Sequence, residues 1–183
     1  MSGNIFFSSD LHINHNKEFI YENRGFDSVE EMNEAIIERF NAIVTPNDTL
    51  YLLGDSCMGP VETATPILKR LHGNILYSIG NHDTHKRLIE YKHLGWNCIG
   101  YADMLVYKKY SFLLSHWPTL VANQLDKPIW NLSGHTHSWH IFNYPNVYNV
   151  AVDAHDCFPV SLDEILNDIK EFKNGPTVLE HYD

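Results

Sequence analysis

The chain has 183 residues, 44% of them hydrophobic and 20% charged, with a formal net charge of −10 at pH 7. That size and balance predict a single globular domain over residues 1–183, and the acidic surplus argues against extended nucleic-acid binding, which needs a Lys/Arg surface. No run approaches the roughly 20 apolar residues of a membrane span, "MSGNIFFSSD" lacks the basic region of a signal peptide, and Cys57, Cys98 and Cys157 read as separate reduced thiols, so a cytoplasmic location is expected.

The first predicted element is a buried strand, "NIFFSS" at 4–9. A helix follows at 28–41, where Ser28 and Glu31 form a capping box and Val29, Met32, Ala35, Ile36 and Phe40 recur at helical spacing. "TPND" (45–48) is a turn before the strand "TLYLLG" at 49–54. A short helix is expected over 60–71, stopped by Gly73, then a strand at 74–80 and a helix at 84–95 with a Gly stop. From there the pattern changes. "DMLVYKKYSFLLSH" (103–116) reads as an antiparallel hairpin turning at Lys108-Lys109. "IWNLSG" and "VYNVAVD" are further strands, and 161–172 is a closing helix with a second capping box, Ser161 and Glu164. Alternating strands and helices followed by strands predict α/β layers around two sheets.

Five of these strands end alike. "FFSSDLH", "LLGDS", "YSIGNHD", "FLLSHWP" and "NLSGHTH" each run from apolar residues into Ser or Gly and then Asp, Asn or His. Such endings suit convergence on one polar site, because open α/β sheets bind ligands at the carboxyl ends of their strands. Asp10 and His12 are two apart, as are His135 and His137, and in extended chain that spacing points both side chains to one side. On this reading Asp55 is placed to bind metal. Twelve histidines is a high count, but a lone His is usually structural, so position matters more than number.

In this order, "DLH", "GD", "GNHD", "SH" and "GHTH" resemble the calcineurin-like metallophosphoesterase superfamily. The run "YNVAVDAHDCFPVSLDEIL" is similar to the end of its small prokaryotic and phage members. The resemblance implies an α/β fold, a two-sheet β-sandwich flanked by helices. It implies that Asp10, His12 and His137 bind one metal ion, that Asn81, His116 and His135 bind a second, and that Asp55 bridges them. His82 would protonate the leaving oxygen or contact the phosphoryl group. The implied cofactor is a pair of divalent ions, manganese first, with iron, zinc or nickel also suited to oxygen and nitrogen ligands. The implied reaction is hydrolysis of a phosphodiester, and also of monoesters, in a small-molecule or nucleotide substrate by a metal-bound hydroxide.

Further residues are weighed beside this set. His15 is expected to line the site, and Arg24 and Arg87 are candidate phosphate contacts against the plainer reading of solvated surface arginines. Trp117 and Trp139 either pack in the core or stack on a base. Asp83, Asp103 and Asp153 are candidates to orient the histidine ligands. The pattern departs from the protein Ser/Thr phosphatases of the superfamily, which carry an Asp and an Arg shortly after "GD" where this chain has Met58 and Gly59. Two other functions compete: a non-catalytic metal-binding interaction module, and a nuclease acting on short or terminal nucleic acid.

Overall fold

The computed structural model describes residues 3–121 and 128–174, so the last nine residues of the chain lie outside the described residues. Two five-stranded sheets form the frame. The first contains β1 (Ile5–Ser8), β2 (Thr49–Leu53), β3 (Asn74–Ser78), β4 (Asn97–Cys98) and β10 (Val160–Ser161), in the order β10-β1-β2-β3-β4. The strands β1 to β4 run parallel, and β10 is antiparallel to β1. The second sheet contains β5 (Ala102–Tyr107), β6 (Tyr110–Ser115), β7 (Ile129–Ser133), β8 (Phe142–Tyr144) and β9 (Val147–Asn149), in the order β5-β6-β7-β9-β8. Its central strands β6, β7 and β9 are parallel, and the expected hairpin is the β5–β6 pair, with Lys108 at φ 53° in its turn.

Alternation along the strands assigns the two apolar cores. Phe6, Leu50, Leu52, Ile75 and Tyr77 face a layer of helices. Phe7 and Leu53 face Phe112, Leu114, Trp130, Leu132 and Tyr148 of the second sheet. The helices α1 (Glu18–Tyr21), α2 (Val29–Ile43), α3 (Val61–Leu68) and α4 (His85–His93) all contribute to the first core. The last, α5 (Leu162–Asn174), inserts Leu162, Ile165, Leu166 and Ile169 into the core between the sheets. Full burial of side chains of this size is worth about 1.5–3 kcal/mol each before entropy is counted.

The two capping boxes form differently. Ser161 and Glu164 exchange both bonds, Glu164 N–H to Ser161 Oγ and Ser161 N–H to Glu164 Oε2. At α2, Glu31 N–H donates to Ser28 Oγ, but the Glu31 carboxylate accepts from Asp27 N–H, one residue earlier. The helix expected over 60–71 stops at Leu68, with Pro66 in its final turn unable to donate a backbone bond. Among the described residues no helix is long and apolar enough to cross a membrane.

Candidate metal centre

The carboxyl ends of β1, β2 and β3 meet those of β6, β7 and β9 along one edge. Backbone bonds join the sheets there: Ser9 N–H donates to Val150 O, and Val152 N–H to Ser9 O. Asp10 N–H donates to Gly54 O, and His12 N–H to Asp55 O, which ties the segment after β1 to the one after β2. Asp10 and His12 do not reach the site as extended chain, contrary to the expectation from their spacing. Asp10, His12, Asp55, His135 and His137 all have positive φ, between 50° and 70°. This left-handed backbone is uncommon outside glycine, and its accumulation marks a place where local strain is held by surrounding structure.

The glycines before the ligand residues have a packing reason. A Cβ on Gly134 would lie 2.0 Å from Asp10 Oδ2, and one on Gly80 would lie 2.3 Å from Asp55 Oδ1. Both segments must pass against a carboxylate of the other strand end, so a side chain cannot fit. The same closeness produces hydrogen bonds: His135 N–H donates to Asp10 Oδ2 (2.8 Å) and His82 N–H to Asp55 Oδ1 (2.8 Å).

The side chains form two adjoining groups. In the first, Asp10 Oδ1 lies 3.8 Å from His12 Nε2 and 3.8 Å from His137 Nε2. In the second, His116 Nε2, His135 Nδ1 and Asn81 Oδ1 are within 3.1 Å of one another. Asp55 Oδ2 stands between the groups, 3.8 Å from His12 Nε2 and 3.4 Å from His116 Nε2. Asp10, His12 and His137, and likewise Asp10, Asp55 and His116, are placed so that each trio could hold a cation, while Asn81, His116 and His135 stand at hydrogen-bond distance from one another.

Buried orphans support that reading. Asp10 Oδ1 and His12 Nε2 are buried and make no hydrogen bond, a costly condition unless a cation completes them. The tautomers agree. His116 Nδ1–H donates to Leu53 O (2.9 Å) and His137 Nδ1–H to Asp153 Oδ2 (3.0 Å), so each presents the Nε2 lone pair to the centre. Burial raises the Asp10 pKa, but the neighbouring His12, His116 and His137 outweigh it and hold the carboxyl well below the usual range. Burial pushes His12 and His135 down, favouring the neutral imidazole that a metal requires. His137 goes the other way, because its bond to Asp153 outweighs burial. The donor set therefore fits divalent ions: ionised carboxylate, amide oxygen and imidazole, with no thiolate.

The remaining candidates divide. His82 is half-buried, with its ring edge-on to His12 at 5.6 Å. His15 stacks on His12 at 5.0 Å, and their Nδ1 atoms are 3.0 Å apart. Arg24, a candidate phosphate contact, is committed to other partners. Its side chain is 1% exposed, and its guanidinium donates to both Asp153 oxygens and to the carbonyls of Asp10 and Leu11. Arg87 likewise donates to the carbonyls of His82 and Gly59. Of the three acidic candidates, Asp153 orients His137. Asp83 accepts the N–H groups of Asp55 and Gly80 and the hydroxyl of Tyr91, shaping the backbone rather than a histidine. Asp103 is exposed on β5 and bonds Met104 N–H. Trp139 is 58% exposed and so is not core, while Trp117 is half-buried against His116. The service of Arg24 to Asp153, across 129 residues, left no local signal in the sequence.

Comparison with known proteins gives a family-model match to calcineurin-like phosphoesterases over residues 3–182. An uncharacterised protein of Methanocaldococcus jannaschii, MJ1445, is 32% identical, with 95% of this chain and 96% of the relative covered. Among solved structures, the protein AQ665 of unknown function from Aquifex aeolicus superposes with a TM-score of 0.70 at 24% identity, covering 90% of this chain and 98% of that one. YfcE, a phosphoesterase from E. coli, superposes with a TM-score of 0.51 at 18% identity, covering 81% and 78%.

Proposed function

The chain belongs to the calcineurin-like phosphoesterase family, and on that premise we propose that it is a dinuclear metal-dependent phosphoesterase, acting on phosphodiesters with monoesters as secondary substrates. The observation that carries the reading is the Asp55 oxygen set between two ligand groups, beside two buried atoms that lack partners. Two divalent ions would supply Lewis acidity and bring a water toward hydroxide near neutral pH.

The residues supply the rest. Asp10, His12 and His137 would hold one ion, Asn81, His116 and His135 would hold the other, and Asp55 would serve both. Manganese is the first expectation, with iron, zinc and nickel compatible. Asn81 contributes oxygen without charge, which leaves the centre more attractive to a phosphate anion. His82, anchored through its N–H on Asp55, presents its ring to the reacting group and donates a proton to the leaving oxygen or a hydrogen bond to the phosphoryl. Burial, with His12 and His82 nearby, holds the His15 pKa down to about 4. It therefore meets substrate as a neutral hydrogen-bonding ring.

The test is hydrolysis of bis-p-nitrophenyl phosphate beside p-nitrophenyl phosphate, after chelation and re-addition of Mn²⁺, Ni²⁺, Zn²⁺ or Mg²⁺. Diester turnover that needs a metal and is lost in His82→Ala supports the proposal. Absence of turnover with every metal, in protein that still binds two ions, moves the reading to the interaction module or to an enzyme selective for one substrate.

A further inference from the structure

Tyr101 and Trp117 stand beside the second ligand group without a part in it. Trp117 packs edge-to-face on His116 at 5.0 Å and lies 6.2 Å from His135. Tyr101 follows at 6.3 Å from Trp117, with the ring planes inclined by 34°, and it is 65% exposed. Both are anchored to ligand-bearing segments. Trp117 follows His116 directly, and its carbonyl accepts from the hydroxyls of Ser115 and Thr119. Tyr101 follows Gly100, whose carbonyl accepts from Ile79 N–H, two residues before Asn81. The pair thus spans from the end of β3 to the end of β6.

Ordinary packing does not account for this placement, because Tyr101 leaves most of its surface in water at the mouth of a polar site. Charge recognition is also weak here. Arg24 and Arg87 are committed to Asp153 and to backbone carbonyls, and the chain carries a net charge of −10. Neither guanidinium is therefore spare for the ester group. Exposed aromatic rings bind planar groups by stacking, with little dependence on charge.

We infer that Tyr101 and Trp117 form an aromatic shelf that takes the nucleobase or aryl group of the substrate, so that the enzyme selects phosphoesters bearing a planar ring. The inference rests on the phosphoesterase reading for the placement of the phosphate.

Calorimetric binding of adenosine 5′-monophosphate and ribose 5-phosphate to Mn²⁺-loaded protein tests it without turnover. The two ligands share sugar and phosphate and differ in the base. The wild type is expected to bind the nucleotide about tenfold more tightly, the lower part of the range for one stacked base. The ratio of the two affinities is expected to fall toward one in Tyr101→Ala and Trp117→Ala and to persist in Trp117→Phe. Taking the ratio within each variant cancels any effect of the substitution on the metals. Equal affinities in the wild type, or an unchanged ratio in both alanine variants, overturns the shelf and leaves the phosphoesterase reading standing. Binding of neither ligand also overturns the shelf, while the phosphoesterase reading stands or falls on diester turnover.

Discussion

Asp10, His12 and His137 occupy a walled corner of the molecule, whereas Asn81 and His135 stand at its rim beside the buried His116. In the corner, Asp10 and His12 are buried, and His137 is held by a buried carboxylate that is itself held by Arg24. Burial would raise the Asp153 pKa, but His137 and Arg24 lower it, so the residue stays an anion. At the rim, Asn81 and His135 are exposed, and His116 is oriented by a neutral carbonyl. A charged support raises ligand basicity more than a carbonyl does. The corner should therefore hold its ion more tightly, and the rim should be the side that exchanges metal and meets substrate.

Asp55→Ala attacks both halves at once. The variant is expected to lose hydrolysis and at least one of two ions, read by metal analysis after gel filtration. Retention of both would make the halves independent and break the comparison. His82→Ala should keep both ions while turnover falls by about a hundred- to ten-thousandfold, the usual worth of a general acid. A fall explained wholly by lost metal would remove His82 from the reaction. Asp153→Asn should weaken the corner by about ten- to a hundredfold and leave the rim nearly unchanged. Equal weakening of both ions in a competitive titration would sink the assignment of a tighter corner.

The smallest expected effect is a control at the far end of the first sheet. Asp48 precedes β2, and its carboxylate accepts from Thr45 N–H, Thr45 Oγ1 and Asn4 N–H. The Thr45 bonds hold its pKa below the ordinary value. A lowered folded pKa means that the stabilisation is present above the unfolded value, near 4, and is lost as pH falls through the folded one. Asp48→Asn should cost about 1–2 kcal/mol at pH 7. The gap from wild type in chemical denaturation should shrink below about pH 4, and the contrast between corner and rim should survive.

Much of this frame was legible from local pattern. The strands β1, β2 and β3, the helices α2 and α5 and the β5–β6 hairpin arise from alternation, helical spacing and caps acting within a few residues. The short α1, β8 and β10 were not legible, because two to four residues carry no period and exist through their neighbours. The same division holds at the site. The ligand candidates announced themselves by the Asp, Asn or His just past the end of each strand. The service of Arg24 to Asp153 did not, nor could Asp103 be told from Asp153, since the choice depends on contacts 16 and 129 residues away. The extended-chain argument expected Asp10 and His12 to converge, and they do, but through left-handed backbone that the spacing does not reveal.

The bonds that close the centre also bear on the order of folding. His116 to Leu53 spans 63 residues, and His135 to Asp10 spans 125. Contacts so distant in the chain require large loops to close, and they form slowly. No single sheet contains a complete ligand set, so the capacity to capture a metal should appear only when the two sheets dock. In refolding monitored by stopped flow, metal uptake is expected to lag behind the circular dichroism of the first sheet and its helices. The centre would then act as a latch, closing last and, once closed on its ions, resisting the reopening of the sandwich.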